Sequence, residues 1–278
     1  MRLIGYRQGE TVMVARLVDG EGAQPIAPAE TFWSDPIRWG EDAGSGEPVA
    51  LADVEVVPPV RPSARVICIG LNYTEHAAEG SWAPPEYPTV FARWTASLST
   101  DGVPVVVPPG EQGLDWEAEL VAVVGRHLYQ VDEGDADGAI YGYAPFNDLT
   151  ARRSQKLTTQ WTLGKNADGS GPLGAIVTCA ELGSIDGGLR IESRVNGEVV
   201  QSDSTAAMIF SIPRLLSFLS QGMTLHPGDL IATGTPSGVG YVRNPPRLLA
   251  PGDVVTVEIE RVGSVSTPVV ASARVAAG

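Results

Sequence analysis

The chain has 278 residues, which is enough for one large domain or for a domain with a small appendage. Its formal net charge of −14 argues against sequence-independent binding to nucleic acid and against docking on anionic membranes, since both need clustered basic charge. A small anionic substrate is still compatible, because a metal ion and a few basic residues reverse the electrostatic field locally.

The cysteine content and the hydropathy pattern indicate where the protein resides. Cys68 and Cys179 lie in apolar, strand-like segments, and we expect two buried, reduced thiols rather than a disulfide framework. The N-terminus does not resemble a signal peptide, and no apolar run is long enough to span a bilayer. We therefore expect a soluble, cytoplasmic protein.

The first 60 residues predict a small β-rich unit. The segment MRLIGYRQGETVMVARLVD alternates around Gly9-Glu10, which indicates a hairpin, and the polar stretch 20–46 follows it. Pro58 to Pro62 has the composition of a linker. The chain is thus predicted to divide into an N-terminal domain, 1–60, and a catalytic domain, 61–278. The smaller unit would cap a sheet or contribute to a dimer.

A possible acid–base pair follows the first strand of the larger unit. ARVICIG predicts a buried strand, and the next segment predicts a short helical turn with Thr74 as its N-cap. His76 and Glu79 are three residues apart, so a helix places them on one face, where Glu79 could orient the imidazole as a general base. The alternative is a surface histidine beside a solvated glutamate. The loop that follows predicts a mobile lid from Thr74 to Tyr87.

Two carboxylates project from one face of the strand predicted by LDWEAELVAVVG. PTVFARWTASLST and VPVVVPP are strand candidates that precede it. Glu117 and Glu119 alternate on this strand, and burying both beside apolar residues is costly unless a cation neutralises them. A divalent metal ion with oxygen ligands would do so. The alternative is a half-exposed strand whose acidic residues face water.

A third carboxylate ends the next predicted strand. AIYGYAPFND stops at Asp148, and three carboxylates from two neighbouring strand ends could hold one hard cation with positions open for substrate. Asp148 alone would more often be a turn or cap residue. However, Arg152, Gln155 and Lys165 follow it, and such donors suit an anionic substrate lying on the metal.

The remaining segments indicate the fold class. Asn196-Gly197 lies between alternating runs and predicts a type I′ hairpin. IPRLLSFLSQG predicts an amphipathic helix, with Pro213 near its start and Gly222 past its end. The loop ATGTPSGVG offers hydroxyls and backbone N–H groups to a carboxylate but lacks P-loop spacing. Few helices and many strands predict a mostly β (α+β) fold with a folded-over mixed sheet.

Over residues 63 to 270 the sequence resembles the fumarylacetoacetate hydrolase family, with five motifs in the family's order. NYTEHAAE is similar to N-Y-x-x-H-x-x-E, LDWEAEL to D-Y-E-x-E-L, and FNDLTARRSQ to N-D-x-x-x-R-D-x-Q. QWTLGKNADGSGPLG is similar to the K-x-x-D segment and ATGTPSGVG to T-G-T-P-x-G-x-G. The resemblance implies a mixed β-sandwich roll, one Mg²⁺ or Mn²⁺ ion per subunit and a homodimer.

The resemblance also implies a role for each matched residue. It implies His76 and Glu79 as the catalytic dyad, Glu117, Glu119 and Asp148 as metal ligands, and Gln155 and Lys165 as catalytic groups on the substrate side. Substrate-binding roles are implied for Tyr73, Arg152 and Thr235. Three departures stand out: Arg153 replaces a usually acidic residue, Ala167 a common aromatic, and ARWTASL at 92–98 a lysine–proline version.

The activity expected from these residues is metal-dependent hydrolysis of a C–C bond in a 2,4-dioxo acid of the acylpyruvate type. His76, held by Glu79, would deprotonate water, and Gln155 and Lys165 would stabilise the oxyanion. The same site would also serve a decarboxylase of β-oxo acids such as oxaloacetate, or a keto–enol or 2-hydroxy-dienoate isomerase, since all pass through one enolate. A non-catalytic protein that binds small acids is the alternative from another class.

Overall fold

The computed structural model describes residues 1–40, 43–80 and 85–272. Strands account for most of its regular structure, in keeping with the predicted mostly β class. The strands are β1 (Arg2–Gln8), β2 (Thr11–Val18), β3 (Gly22–Pro28), β4 (Val49–Ala50), β5 (Val56–Val57), β6 (Val66–Gly70), β7 (Thr89–Arg93), β8 (Leu98–Ser99), β9 (Val105–Val106), β10 (Ala118–Val124), β11 (Ile140–Asn147), β12 (Gly171–Pro172), β13 (Ile176–Thr178), β14 (Arg190–Val195), β15 (Glu198–Ser204), β16 (Leu230–Ala232), β17 (Val254–Ile259) and β18 (Gly263–Val270).

The helices are short, apart from one. They are α1 (Ala29–Phe32), α2 (Thr74–Glu79), α3 (Glu133–Asp137), α4 (Arg152–Gln155), α5 (Thr162–Lys165), α6 (Cys179–Leu182) and α7 (Ile212–Gly222). Single 3₁₀ turns lie at Pro36–Arg38, Leu51–Asp53, Thr95–Ser97 and Thr205–Ala207. Among the described residues, no helix has the length and apolar character needed to cross a membrane.

Two sheets of mixed direction form a sandwich. The larger sheet has 11 strands in the order β4-β3-β2-β1-β13-β11-β10-β16-β6-β7, with β5 paired to β1. Its β16–β6 pair is parallel, whereas β10 runs antiparallel to both β11 and β16. The second sheet has 5 strands in the order β15-β14-β17-β18-β9. The prediction of a mixed, folded-over β structure is therefore confirmed.

The core that joins the two sheets is apolar on both inner faces. Leu120 and Ala122 of β10 share one buried cluster with Ile191 of β14 and Val257 of β17. Each large aliphatic side chain that leaves water in this way contributes about 1.5–3 kcal/mol. The sandwich therefore fixes β10, which carries the acidic motif, against a second sheet.

The N-terminal strands continue the large sheet. β1 pairs with β13, with Leu3 opposite Ile176, and the predicted hairpin at Gly9-Glu10 joins β1 to β2. Phe32 and Trp33 lie in the same buried cluster as residues of β6 and β11. The predicted division between residues 60 and 61 therefore does not coincide with a break in the sheet or in the core.

The one long helix, α7, begins where its sequence signals predict, but it includes Gly222, which was predicted to lie past its end. Ser211 caps it by accepting a hydrogen bond from the backbone N–H of Arg214, and Pro213 lies in its first turn. Leu215, Leu216 and Leu219 face the core. The apolar stripe at helical spacing explains both the existence of this helix and the face it buries.

The hairpin at Asn196-Gly197 also forms as predicted. Val195 pairs with Glu198, and the two turn residues have φ angles of 52° and 85°, as a type I′ turn requires. This turn returns the chain as β15, which places Gln201 beside the carboxylate-rich end of β10.

Both cysteines are free thiols, as expected, but their environments differ. Cys68 is buried in β6, and burial raises the pKa of its thiol well above the ordinary value. Cys179 is half-buried and begins α6 rather than lying within a strand. Burial, followed by the charge of Asp137, raises the pKa of the Cys179 thiol to about 11. Neither thiol is activated as a nucleophile.

Candidate active site

The three predicted carboxylates meet where β10 begins and β11 ends. Antiparallel pairing places Ala118 opposite Asn147, so that Glu117 and Asp148 lie side by side just outside the paired strands. The backbone N–H of Asp148 donates to the carbonyl of Glu117 at 2.9 Å. One oxygen from each of Glu117, Glu119 and Asp148 lies within 4.8 Å of the others. The strand register therefore forms the acidic cluster.

Buried cations neutralise two of these carboxylates. Lys165 donates from Nζ to Glu117 Oε2 at 2.6 Å and to Asp148 Oδ2 at 2.5 Å. Arg152 Nη2 lies 2.6 Å from Glu117 Oε1. Burial alone would raise the pKa of Glu117, but Lys165 and Arg152 outweigh burial and lower it to about 2. Glu117 is therefore held as a carboxylate.

Glu119 lacks such a cation. Among the described residues, its carboxylate accepts a hydrogen bond from the backbone N–H of Gly234 at 3.0 Å and forms no ion pair. Burial, followed by the negative charges of Asp148 and Glu117, raises its pKa well above the ordinary value. An all-oxygen donor set with one uncompensated negative charge fits a hard divalent cation. These residues can therefore hold such an ion.

The His76–Glu79 dyad forms as the helical spacing predicted. His76 Nδ1 lies 2.8 Å from Glu79 Oε1, and Glu79 Oε2 accepts the backbone N–H of Gly238 at 2.8 Å. The glutamate is thus fixed at both oxygens and sets the orientation of the imidazole. The predicted N-cap is one residue too late, because Thr74 is the first helical residue and Tyr73 occupies the cap.

One cavity of about 380 Å³ brings most of the predicted residues together. The predicted residues that line it are His76, Glu117, Glu119, Arg152, Gln155, Lys165 and Thr235. Asp148 and Glu79 do not line it and contact Lys165 and His76, which do. Carboxylates, one histidine and several cations therefore surround a space of small-metabolite size.

Tyr73 differs from the role that the resemblance implied. Its side chain is completely buried and does not line the cavity. The backbone of Tyr73 forms a bridge with Met208, and this places the ring in the interior. Burial, then Glu119 and Asp203, raise the pKa of its phenol. A direct substrate contact from Tyr73 does not follow from this position.

Two charged residues of the site were not selected from the sequence. Asp115 is fully buried and accepts hydrogen bonds from Arg152 Nε at 2.8 Å and from the backbone of Gly240 at 2.7 Å. Arg93 pairs with Asp148 and donates to the carbonyl of Leu149 at 2.7 Å. Asp115 stood inside the quoted acidic motif, and Arg93 interrupts an apolar strand; those were the available signals.

Thr235 is presented by a loop that two glycines shape. Gln201 Nε2 donates to Thr235 Oγ1 and to the carbonyl of Pro236, both at 2.8 Å. Gly234 and Gly238 have φ angles of 97° and 100°, which other residues rarely adopt. At Gly238, a Cβ would lie 2.5 Å from the carbonyl oxygen of Val200. The loop can therefore approach β15 closely.

Comparison with known proteins identifies the family. The model for the fumarylacetoacetate (FAA) hydrolase C-terminal domain matches residues 65–270. The chain belongs to the fumarylacetoacetate hydrolase family. The resemblance that the motifs carried is therefore confirmed.

Relatives within this family have different named activities. Oxaloacetate tautomerase YisK of Bacillus subtilis is 41% identical over 226 residues, covering 79% of this chain and 74% of that protein. A 5-carboxymethyl-2-hydroxymuconate delta-isomerase from Mycobacterium smegmatis has a similar structure, with a TM-score of 0.80 and 32% identity over 98% of this chain and 100% of that chain. Fumarylpyruvate hydrolase from Pseudomonas aeruginosa, solved with Mn²⁺ and pyruvate, has a TM-score of 0.69 and 30% sequence identity over 78% of this chain and 92% of that chain.

The departure from the family pattern at Arg153 has a structural counterpart. Arg153 is exposed and does not line the cavity. The carboxylate of Glu111 accepts the backbone N–H groups of Arg153 and Ser154 at 3.0 and 2.8 Å. Glu111 therefore supplies a negative charge to the first turn of α4, where the family usually has an acidic residue in the helix itself.

The other two departures do not widen the cavity. Ala167 is not among the residues that line it, so its small side chain does not widen the wall. Trp161 and Phe91 line it instead, with ring centroids 5.2 Å apart. In ARWTASL, Arg93 is the residue that pairs with Asp148. The predicted lid from Thr74 to Tyr87 is described only in part, because residues 81–84 lie outside the described residues.

Proposed function

We propose that this protein is a metal-dependent tautomerase that interconverts the keto and enol forms of a β-oxo dicarboxylic acid of the oxaloacetate class. Mg²⁺ or Mn²⁺ would be held by Glu117, Glu119 and Asp148. The observation that carries the proposal is that one imidazole, oriented by a carboxylate, lines the same cavity as the carboxylate cluster. Keto–enol exchange needs a single proton relay beside an electrophile.

The chain's own residues provide that relay. A bound divalent cation would polarise the 2-oxo group and make the adjacent C–H more acidic. His76 Nε2 would accept the proton from C3, while the C–H electron pair moves into the new C2–C3 double bond. The carbonyl π electrons would move onto the 2-oxo oxygen, which would then take up the proton that His76 accepted. Glu79 keeps the Nδ1 proton of His76 in place and stabilises the charged imidazole.

Other residues bind the substrate and shape the field. Lys165 and Arg152 offset the negative charge of Glu117, which allows an anionic substrate to enter an otherwise acidic cavity. Thr235, held by Gln201, offers a hydroxyl to a substrate carboxylate. Trp161 and Phe91 limit the water that reaches the reacting carbon.

The names of the relatives support tautomerisation more than the C–C hydrolysis expected from the sequence. The Bacillus subtilis protein is named an oxaloacetate tautomerase, and the mycobacterial structure is named an isomerase. Hydrolysis of an acylpyruvate remains the second candidate, because the Pseudomonas aeruginosa structure is named a fumarylpyruvate hydrolase. We also keep the proposals of a homodimer and of a cytoplasmic location.

The test compares two reactions of the purified protein with Mg²⁺ and with Mn²⁺. Loss of the ultraviolet absorbance of enol-oxaloacetate reports tautomerisation, and release of pyruvate from a series of acylpyruvates reports hydrolysis. We expect metal-dependent acceleration of tautomerisation well above the rate in buffer, with chelator abolishing it. Glu117→Ala serves as the metal-site control.

Two outcomes would overturn the proposal. The first is a tautomerisation rate equal to the buffer rate with either metal, together with acylpyruvate hydrolysis, which would assign the site to the second candidate. The second is carbon dioxide release that outpaces tautomerisation, which would indicate a decarboxylase.

A further inference from the structure

Lysine is rare in this chain, and both lysines line the same cavity. Lys156 and Lys165 are the only lysines in the sequence, and every other basic side chain apart from the three histidines is an arginine. Both lysines line the cavity that contains the carboxylate cluster. Lys165 is 2% exposed and is paired with Glu117 and Asp148. The proposed mechanism uses Lys165 and leaves Lys156 without a role.

The environment of Lys156 differs from that of Lys165. It follows α4 directly, its side chain is exposed, and its Nζ donates to the hydroxyl of Tyr241. The ammonium group lies 3.7 Å from the centroid of the Tyr241 ring, on the electron-rich face. Among the described residues, Lys156 forms no ion pair with a carboxylate. Its positive charge is thus held in position without being neutralised.

The support beneath Lys156 is shared with Arg152. The backbone N–H of Tyr241 donates to Asp115 Oδ2 at 3.1 Å, and Arg152 Nε donates to the same oxygen at 2.8 Å. The guanidinium carbon of Arg152 lies 5.8 Å from the Tyr241 centroid. Lys156 is therefore fixed relative to the cations that neutralise the acidic cluster.

The charges around the acidic cluster leave a role for one more cation. Four buried carboxylates, Asp115, Glu117, Glu119 and Asp148, lie with three cations, Arg93, Arg152 and Lys165, so one negative charge of this group is left over among the described residues. A divalent ion would turn this deficit into an excess of a single positive charge, which one substrate carboxylate neutralises. A second substrate carboxylate then requires a further unpaired cation in the cavity.

Lys156 lies at the end of the cavity opposite to the acidic cluster, as the exposure of the lining residues indicates. Glu117 and Glu119 are 6% and 1% exposed, so the acidic cluster forms the floor of the cavity, whereas Lys156 is exposed at its mouth. A 2-oxo acid whose head lies on the cluster would extend its tail toward the mouth. A tail carboxylate would meet the Lys156 ammonium group there.

We propose that Lys156, seated on Tyr241, binds the distal carboxylate of the substrate and makes the site selective for dicarboxylic β-oxo acids over acids with an uncharged tail. This inference rests on the proposed function, because it assumes a substrate head bound at the acidic cluster. Lys156 is thus assigned as a specificity-determining residue.

The test uses two competitive inhibitors that differ only in the distal carboxylate. Malate has the carbon skeleton of oxaloacetate, and lactate has the same 2-hydroxy acid head with a methyl tail. In the wild type with saturating Mn²⁺, malate should bind more tightly than lactate. In Lys156→Gln, malate binding should weaken by about tenfold to a hundredfold, the usual effect of losing a hydrogen bond to a charged group, while lactate binding stays unchanged.

Two variants control for charge alone. Lys156→Arg keeps the cation and should retain most of the preference for malate. Arg153→Gln removes a neighbouring positive charge that does not line the cavity, and it should leave the ratio of the two inhibition constants unchanged. If Arg153→Gln lowers malate binding as much as Lys156→Gln does, the effect is a general field and Lys156 makes no direct contact.

A second measurement is independent of turnover. Lys156 is the exposed lysine of the chain, so a lysine-acylating reagent should modify it, and peptide mass spectrometry reports the extent. Malate with Mn²⁺ should protect Lys156, and lactate with Mn²⁺ should not. Equal protection by both ligands, or by neither, would contradict the assignment.

The two proposals fail in distinguishable ways. A wild-type enzyme that tautomerises oxaloacetate but shows the same ratio of inhibition constants in Lys156→Gln disproves the role of Lys156 alone. A wild type with no tautomerase activity that still binds malate through Lys156 disproves the proposed reaction and keeps the dicarboxylate selectivity.

Discussion

Glu119 is the residue of the site whose charge is least compensated. Its neighbours Glu117 and Asp148 are paired with cations, whereas Glu119 accepts a single backbone N–H in the described structure. A buried, unpaired carboxylate costs stability unless it is protonated or bound to a metal ion. The folded state therefore contains an uncompensated buried negative charge, which a bound divalent cation would neutralise.

Glu119→Gln should separate this cost from metal binding. In the presence of chelator, the variant should be more stable than the wild type by about 1–3 kcal/mol at neutral pH, because an unpaired buried charge is removed. Added Mn²⁺ should raise the melting temperature of the wild type, by mass action on the folded state, and should not raise that of the variant. Thermal melts with and without Mn²⁺ measure both effects.

The pH dependence has a definite sign. The pKa of Glu119 in the folded state is raised above its ordinary value of 4.5, so the folded state binds the Glu119 proton more tightly than the unfolded state does. The stabilisation that results is complete below pH 4.5 and is lost as pH rises toward the pKa of the folded state. The advantage of Glu119→Gln should thus widen from pH 4.5 upward. The matched control is Glu117→Gln, which should be less stable than the wild type, since it removes one of the two charged partners of both Lys165 and Arg152. Equal effects of the two substitutions would contradict the charge assignment.

His76 tests the proton relay. His76→Ala should lower the rate of tautomerisation by about 10²–10⁴-fold, the usual contribution of general acid–base catalysis. Oxaloacetate decarboxylation, where present, should fall much less, because the metal supplies the electron sink. Glu79→Gln should show a smaller loss than His76→Ala, since an oxygen still accepts the Nδ1 proton. Rates of both reactions for each variant decide this, and an unchanged tautomerisation rate in His76→Ala would show that the dyad is not catalytic.

At the scale of elements, short helices carry the residues proposed to face the substrate, and they depend on contacts from other segments of the chain. α4 has four residues and carries Arg152 and Gln155. A helix this short has no stability of its own, so its geometry comes from tertiary contacts. Glu111 supplies the main one at its N-terminus, through the backbone N–H groups of Arg153 and Ser154.

Glu111→Ala should therefore disturb the site, although Glu111 does not line the cavity. Loss of a capping carboxylate costs about 0.5–2 kcal/mol, and we expect weaker malate binding through displaced Arg152 and Gln155. Glu111→Gln keeps an acceptor oxygen and should recover much of the binding. Inhibition constants and thermal melts of both variants provide the measurement. Wild-type malate binding in Glu111→Ala would mean that α4 is positioned by other contacts.

The segment from Thr74 to Tyr87 remains a predicted lid. It carries the dyad, and its described part contains few large apolar side chains that would anchor it. We expect hydrogen exchange in α2 to slow when Mn²⁺ and malate are bound, relative to Mn²⁺ alone. Protection factors from exchange mass spectrometry measure this, with α7 as the internal reference. Equal, strong protection of α2 in both states would count against a lid.

For the whole molecule, the N-terminal strands and the strands that carry the acidic cluster form one sheet. β1 covers the edge of β13, and Phe32 and Trp33 fill a cluster with Cys68 and Phe146. Strands β10 and β11, at whose ends the acidic cluster lies, are therefore braced on one side by β13, which pairs with β1 of the N-terminal hairpin. The acidic cluster depends on this support, since Asp148 directly follows the last residue of β11, Asn147.

Removal of residues 1–60 should destabilise the remainder severely. Losing a buried Phe or Trp typically costs about 3–5 kcal/mol, and two such losses consume most of the 5–15 kcal/mol that stabilises a typical domain. Circular dichroism and thermal melts of the chain from residue 61 should show loss of cooperative unfolding. The matched comparison is Phe32→Ala in the full chain, with a smaller loss. A truncated chain that melts like the full one would show that residues 1–60 are an independent domain.

The sequence by itself determined the features that depend on neighbouring residues. The turn at Asn196-Gly197, helix α7 and the i, i+3 spacing of His76 and Glu79 are local, because turn chemistry and helical periodicity act over a few residues. The alternation of Glu117 and Glu119 likewise placed both on one face. The family motifs then joined these pieces into an order that the match to residues 65–270 confirmed.

Only the tertiary structure decided which distant residues meet. Arg93 reaches Asp148 across 55 positions, and Gly240 reaches Asp115 across 125, and such pairings depend on strand order and register rather than on local pattern. The continuity of residues 1–60 with the main sheet has the same origin. So does the position of Lys156 on Tyr241, which becomes a cation at the cavity mouth only because the fold brings those two segments together.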